Sequence, residues 1–74
     1  MDVVSILEAL AEQGVTALVT ADGERMLERS LPWTFVANGE PLGGQVVRVD
    51  AASVEACRTA AIPRLRALGM SAPE

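Results

Sequence analysis

The chain has no histidine, no tyrosine and no lysine, and it contains a single cysteine, Cys57. Without histidine it cannot assemble a serine–histidine–aspartate or cysteine–histidine catalytic group from its own residues, and it cannot build a metal site with imidazole ligands. With one cysteine it cannot form an internal disulfide. These absences remove the commonest hydrolase centres and zinc sites from the functions that the chain alone can perform.

Aromatic residues are also scarce, since Trp33 and Phe35 are the only two. Half of the 74 residues are hydrophobic, so the core has to be built from valine, leucine, isoleucine and alanine. A chain of this length buries only about 60% of its unfolded surface. We expect residues 1–74 to form a single small domain, and burial between subunits is a common means of stabilising such a domain.

The charge pattern limits the partners. The formal net charge of −4 argues against nucleic acid, which usually requires a basic patch. Residues 1–13 lack a basic region and a long apolar run, so we expect no secretory signal. No stretch approaches 18 apolar residues, so we expect no membrane span. A lone cysteine without an export signal is typical of a cytoplasmic protein.

The clearest pattern covers Gln45–Leu68, where a strand leads into an amphipathic helix. Alternate residues of the strand point to opposite faces, with Val47 and Val49 on one side and Val46 and Arg48 on the other. Asp50 has the right chemistry for the helix N-cap. The helix has one apolar stripe at separations of 3, 4, 4 and 3, formed by Val54, Cys57, Ala61, Leu65 and Leu68.

Pro63 lies inside this predicted helix. It lacks the amide that would bond the carbonyl of Thr59, and it lies roughly opposite the apolar stripe. A kink there would bend the helix around a core, whereas the alternative is two shorter helices. We favour one bent helix that ends at Gly69 in the left-handed conformation, with residues 69–74 as a frayed tail.

The first half of the chain predicts a helix and a strand. Asp2 can cap a helix that ends at Gly14, and its apolar stripe consists of Val3, Ile6, Leu7 and Leu10. The alternation and β-branched content of Val15–Ala21 predict a strand. Together these segments place a helix before the first strand.

The segment that follows is ambiguous. Asp22 and Gly23 form a two-residue hairpin signal, which makes Glu24–Arg29 a second strand. The same six residues are good helix formers, and Asp22 could instead cap a helix. We favour the hairpin. Trp33–Ala37 reads as the next strand, and the glycine-rich residues 38–44 match no phosphate-binding pattern, so we expect a flexible connection there.

These elements predict an α+β fold. We expect a two-layer α/β sandwich with a three- to four-stranded, mainly antiparallel sheet and both terminal helices on one face. The sheet side of the core would be lined by Val15, Ala17, Val19, Trp33, Phe35, Val47 and Val49.

The opposite side of the sheet, called here the second face, would carry Leu18, Val36, Val46 and Arg48 among threonines. Antiparallel sheets often leave one face to solvent, and a few apolar residues there are ordinary. The alternative interpretation is an association patch, for which a twofold dimer is the commonest arrangement.

The other chemical candidates each have a structural explanation. Cys57 lies on the helix stripe, where a thiol behaves as a small hydrophobic group. The acidic residues Asp22, Glu24 and Glu28 do not have calcium-loop spacing and read as a solvated patch. Arg58 projects close to the stripe. It could lay its stem on apolar surface or hold a carboxylate of a partner or an anionic ligand.

We therefore predict a small non-enzymatic protein-interaction or adaptor protein, homodimeric through the second face or a sheet edge. The predicted partner-binding residues are Leu18, Val36, Val46, Arg48 and Arg58. The alternative is a small-molecule binding module with a pocket between sheet and helices near Trp33 and Arg58, and the third hypothesis is a small enzyme with a site shared across a dimer. We predict no catalytic residue, no cofactor and no metal site, and neither nucleic acid nor membrane as a partner.

Overall fold

The computed structural model describes residues 3–71. The elements are helix α1 (Val3–Glu12), strand β1 (Thr16–Ala21), helix α2 (Gly23–Leu27), strand β2 (Trp33–Asn38), a 3-10 turn (Glu40–Leu42), strand β3 (Val47–Ala51) and helix α3 (Val54–Ala67). The three strands form an antiparallel sheet in the order β1-β2-β3. Helix α1 packs on β1, and α3 packs on β2 and β3. The predicted α+β arrangement is confirmed.

The core lies between one face of the sheet and the inner sides of α1 and α3. Of the seven residues predicted to line the sheet side, Val15, Phe35, Val47 and Val49 are buried, and Ala17, Val19 and Trp33 pack against the core as partly buried residues. The helices contribute Ile6, Leu10, Cys57, Ala61, Ile62 and Leu65. Both predicted helical stripes therefore face the sheet, as periodic apolar patterns require.

Helix α1 ends in a glycine-based cap. The amide of Gly14 bonds the carbonyl of Ala11, and the amide of Val15 bonds the carbonyl of Leu10, each at 3.0 Å. Gly14 has a φ of +89°, which a residue without a Cβ adopts freely. This is the Schellman arrangement, and it brings Val15 and Leu10, both buried, into the core.

Helix α3 ends in the same way, with Gly69 at a φ of +87°. The amide of Met70 bonds the carbonyl of Leu65 at 3.0 Å, and Met70 is only 8% exposed. The side-chain amide of Gln13 both donates to the carbonyl of Ser71 (2.8 Å) and accepts from its amide (3.0 Å). The expected frayed tail is therefore wrong for residues 69–71, while residues 72–74 lie outside the described part.

Helix α3 is one element with Pro63 inside it, in agreement with the prediction of a single helix. Its N-cap differs from the prediction. Ser53 caps it, since its hydroxyl accepts from the amide of Ala56 at 3.1 Å, whereas Asp50 stays in β3. Because Ser53 supplies the capping oxygen, the carboxylate of Asp50 is not used by the helix and is available for other partners.

The predicted hairpin at Asp22 and Gly23 is wrong, and Glu24–Arg29 is not a strand. Asp22 caps α2 instead, because its side chain accepts from the amides of Glu24 and Arg25. Strand β1 pairs with β2, whose first residue, Trp33, lies opposite Ala21. The helix-forming character of the segment prevails over its hairpin dipeptide.

The glycine cap of α3 yields a stability prediction. A Cβ at Gly69 would meet no atom within 4 Å, so Gly69→Ala changes only the backbone preference and should cost about 1–2 kcal/mol. Gly23→Ala is the matched control, because its Cβ also meets open space and its φ is not positive. That change should be neutral or stabilising by up to about 1 kcal/mol. Urea unfolding followed by Trp33 fluorescence measures both, and equal effects would contradict this account of the cap.

Candidate interaction surface

Three of the predicted partner-binding residues form one row across the second face. Leu18 of β1 lies directly opposite Val36 of β2, and Val36 lies directly opposite Arg48 of β3. Leu18 is 43% exposed and the Arg48 side chain is 63% exposed, with Val36 half-buried between them. Directly opposed side chains of an antiparallel pair lie about 5 Å apart, so the row is continuous.

Val46 lies next to this row. It immediately precedes β3 and is 61% exposed, whereas its neighbour Val47 is buried. Alternation therefore places Val46 on the second face. Val47 pairs with Ala37, and continuing that register puts Val46 beside Asn38. We call Leu18, Val36, Val46 and Arg48 the docking face.

The other end of the second face is closed by a polar cluster, which we define as Arg25, Thr34 and Asp50. Arg25 donates from Nη1 to Asp50 Oδ1 (3.1 Å) and from Nη2 to Thr34 Oγ1 (2.9 Å). Thr34 Oγ1 donates to the same carboxylate oxygen at 2.6 Å. Thr34 is only 6% exposed, because the guanidinium of Arg25 lies across this part of the sheet.

The polar cluster explains how α2 is held. No residue of α2 is buried, and its Leu27 is 87% exposed. An isolated helix shorter than about 12 residues is marginal in water, and α2 has five. The charged hydrogen bonds of Arg25 therefore supply the attachment that apolar burial does not.

The cluster also sets the protonation of its carboxylate. Hydrogen bonds from Thr34 and Arg25, together with the nearby positive charge of Arg48, lower the pKa of Asp50 from 3.8 to about 2, although partial burial opposes the shift. The hydrogen bond to Asp50 raises the pKa of Arg25 in turn. At neutral pH the cluster is thus a fully ionised pair.

Arg48 connects the polar cluster to the docking face. Its Nε lies 3.4 Å from Asp50 Oδ2. Within residues 3–71 the structure gives its two terminal nitrogens no partner. Asp50 lies on the Nε side of the guanidinium, so the outer side, with the two terminal nitrogens, is available to a carboxylate from another molecule.

Arg58, the fifth predicted residue, is not part of this surface. It belongs to α3, which covers the opposite face of the sheet. Its Nη2 donates to Glu55 Oε2 at 3.0 Å, and its side chain is 22% exposed. Its Nε is buried, and no residue from 3 to 71 accepts from it.

Cys57, next to Arg58, is a buried free thiol 3.8 Å from the carbonyl oxygen of Val49. Burial raises the pKa of this thiol. The residue therefore lies in the core, where its thiol is shielded from solvent, and it has the position that the helix stripe predicted for it.

The region near Trp33 offers no recess. Over residues 3–71, no cavity lies between the sheet and the helices, and Trp33 packs against the core cluster. In the same part of the chain, no three acidic or cysteine side chains are grouped as a metal site would need. None of the helices formed by these residues combines the length and the apolar character needed to cross a membrane.

Sequence reasoning missed Arg25 and misassigned Asp50. The alternation of β2 and β3 does place Thr34 and Asp50 together on the second face, but it does not indicate their shared partner, Arg25. That partner is 25 residues away in sequence, in the segment predicted to be a strand.

Comparisons with known proteins give no relative: no family model, no curated protein and no solved structure matches the chain. The geometry of the second face is therefore the basis for proposing a function. At the open end, exposed or half-buried apolar residues lie beside exposed polar ones (Leu18, Val36 and Val46 beside Thr16, Asn38 and Arg48), whereas the other end is closed and charged.

The low pKa of Asp50 yields a prediction of pH dependence. A carboxyl group with a depressed pKa stabilises the fold fully above its ordinary pKa of 3.8, and that stabilisation is lost as the pH falls towards about 2. Asp50→Asn should be less stable than the wild type at neutral pH, and the difference should shrink between about pH 4 and pH 2. Urea midpoints measured along this range test it.

Glu40→Gln is the control for Asp50→Asn, because Glu40 is exposed and makes no ion pair within the described residues. It should leave the acid limb of the stability curve unchanged. A constant difference between Asp50→Asn and the wild type at all pH values would contradict the role given to the carboxylate.

The buried Nε of Arg58 yields a further prediction. Arg58→Met keeps an apolar stem of similar length and removes the unsatisfied donor, so the free energy of unfolding should stay within about 0.5 kcal/mol of the wild type or rise. Arg58→Ala also loses the stem contacts and should cost about 1 kcal/mol. Urea unfolding distinguishes them, and a loss as large for methionine as for alanine would show that the charge itself is needed.

Proposed function

We propose that this chain is a small adaptor protein that binds another protein on its docking face and catalyses no reaction. The observation that carries the proposal is the exposure of Leu18 and Val46 beside Val36, on the side of the sheet that neither α1 nor α3 covers. Contiguous exposed apolar residues bordered by polar groups are typical of protein-interaction sites.

The contrast within the second face supports this assignment. Next to the docking face, Thr34 is almost completely buried, and its hydroxyl accepts a hydrogen bond from Arg25. The sequence thus provides a cover for one end of the face and leaves valine and leucine at the other. Threonine and charged residues are stable on a solvated sheet face without any cover. A face that was only solvated would therefore not need one covered polar end and one exposed apolar end.

The chemistry of the docking face defines the partner segment. Apolar side chains would pack on Leu18, Val36 and Val46, and a carboxylate would accept hydrogen bonds from the terminal nitrogens of Arg48. Asp50 lies beside Nε of this guanidinium, so the two terminal nitrogens are the donors that face a partner. We therefore propose an apolar protein segment that carries one acidic group.

The proposal places the protein in the cytoplasm. Its support is that the single cysteine, Cys57, is a free and buried thiol that contributes to the core. In the cytoplasm this thiol stays reduced without needing a partner.

The proposal is tested by comparing proteins captured from the native host at low salt with three baits: wild type, Val46→Lys and Val4→Lys. Val4 is the matched control, because it is a valine with 54% exposure on α1, outside the docking face. Val46→Lys should lower recovery of a specific partner about tenfold, whereas Val4→Lys should not.

The captured partner should then be purified and titrated against the same variants, with Arg48→Gln added. Arg48→Gln should weaken binding and reduce its salt dependence, because it removes the charge but not the apolar contact. Equal recovery by the wild type and Val46→Lys, or no specific partner for any bait, would overturn the proposal.

A further inference from the structure

The hydrogen-bonding phase of β1 shows which of its backbone groups are free. The amide of Asp22 donates to the carbonyl of Pro32 at 2.8 Å, and these two residues continue the register in which Ala21 pairs with Trp33. Hydrogen-bonded and non-hydrogen-bonded pairs alternate along an antiparallel ladder. The even-numbered residues of β1 therefore bond β2, and Ala17, Val19 and Ala21 point their amides and carbonyls away from the sheet.

These outward groups have no partner in residues 3–71, since no hydrogen bond outside the β1–β2 ladder reaches them. Strand β1 also has none of the usual protections of an edge. The residues of Thr16–Ala21 include no charge and no proline, and all six pair with β2 in an unbroken register. An edge of this kind is a template for another strand.

The other edge of the sheet is different. The same alternation makes Val36 and Arg48 a non-hydrogen-bonded pair, so the carbonyl of Arg48 points outward. Arg64 of α3 donates to that carbonyl at 2.9 Å. Strand β3 also carries two charged residues, Arg48 and Asp50. Protection is thus confined to β3, and β1 is the edge that remains open.

We propose that two copies of the chain join through β1, antiparallel about a twofold axis at Leu18, to form one six-stranded sheet. In a continuous sheet, directly opposed residues have their side chains on the same face. The twofold axis must therefore pass beside a residue that pairs with its own copy, and not through a peptide bond, which would pair residues of opposite faces. With the axis at Leu18, Ala17 of each copy exchanges hydrogen bonds with Val19 of the other, about four bonds in all.

The strand is complementary to itself in this register. Leu18 meets Leu18 of the second copy as a non-hydrogen-bonded pair, whose Cα atoms are about 4.5 Å apart and whose side chains are closest. Thr16 meets Thr20 of the second copy, and threonine pairs are favourable across strands. No like charges are opposed. An axis at Val19 would instead place the apolar Leu18 against Thr20.

The joined sheet has a continuous apolar row on its second face, formed by Val36 and Leu18 of one copy followed by Leu18 and Val36 of the other. This inference deepens the proposed function and rests on it in one respect: the row would serve as a docking face twice as long. Dimer formation itself is measured on the purified chain, so a monomer that still bound a partner would overturn this inference and leave the proposed function standing.

The test has two parts. Light scattering of the purified chain at tens of micromolar should give twice the 7.8 kDa of one chain. Leu18→Cys should then form a disulfide-linked dimer under mild oxidation, because opposed Cα atoms at about 4.5 Å lie within disulfide reach. Thr20→Cys is the matched control, since two such residues would be about 13 Å apart along the strands. The native Cys57 is buried and does not compete.

Two more variants separate this arrangement from a face-to-face dimer. Ala17→Pro removes an outward amide that β2 does not use and should lower dimer affinity about tenfold or more, with Trp33 fluorescence confirming the fold. Leu18→Lys opposes like charges at the axis and should act in the same direction. A monomer at all concentrations, a dimer unaffected by Ala17→Pro, or cross-linking by Thr20→Cys in place of Leu18→Cys would each overturn the proposal.

Discussion

Two helices cover only one face of a three-stranded sheet, and the rest of the structure depends on how the other face is covered. The ten residues of α1 and the fourteen of α3 supply the helical side of the core. The remaining helix, α2, has five residues and buries none of them. Because a sheet has two faces and the described chain covers only one with apolar packing, the other face has to be solvated, covered by polar groups or covered by another molecule.

The chain uses different solutions at the two ends of this face. At one end, Arg25 donates to both Thr34 and Asp50, and Thr34 in turn donates to Asp50. At the other, Leu18 and Val46 remain open. At the polar end, one long side chain, that of Arg25, covers the sheet through charged hydrogen bonds and needs no additional apolar element. A short chain can cover one end of the face in this way without a third packed helix. The open end is then free for contact with another molecule.

The periodic parts of the fold could be predicted from the sequence. The stripe that includes Cys57 and Leu65, and the alternation that separates Leu18 from Val19, are imposed by burial on one side, so they are visible locally. The docking face follows from the same alternation once the strands are paired. Arg58 could have been assigned as well, because Glu55 lies one turn away on the same helix.

The segment after β1 could not be predicted, because distant contacts decide it. Asp22 is compatible with a hairpin and with a helix cap. The helix is held by Arg25, whose partner Asp50 lies 25 residues further on and carries its own local signal as a cap. The local sequence around Asp22 is compatible with a hairpin, and the local sequence around Asp50 is compatible with a helix cap. In the structure, the contact between Arg25 and Asp50 replaces both. Such conflicts between local and global preference are commonest where a surface has a special role.

The bridge between Gln13 and Ser71 affects how the protein opens. It joins residues 58 positions apart, and it links the caps of α1 and α3. Two exposed hydrogen bonds offset the entropy of closing this loop only after the sheet has brought the two helix ends together. The contact should therefore form late in folding and break early in unfolding. While it holds, the end of neither helix can fray alone, so local opening of the first helix and of the last becomes a single cooperative event.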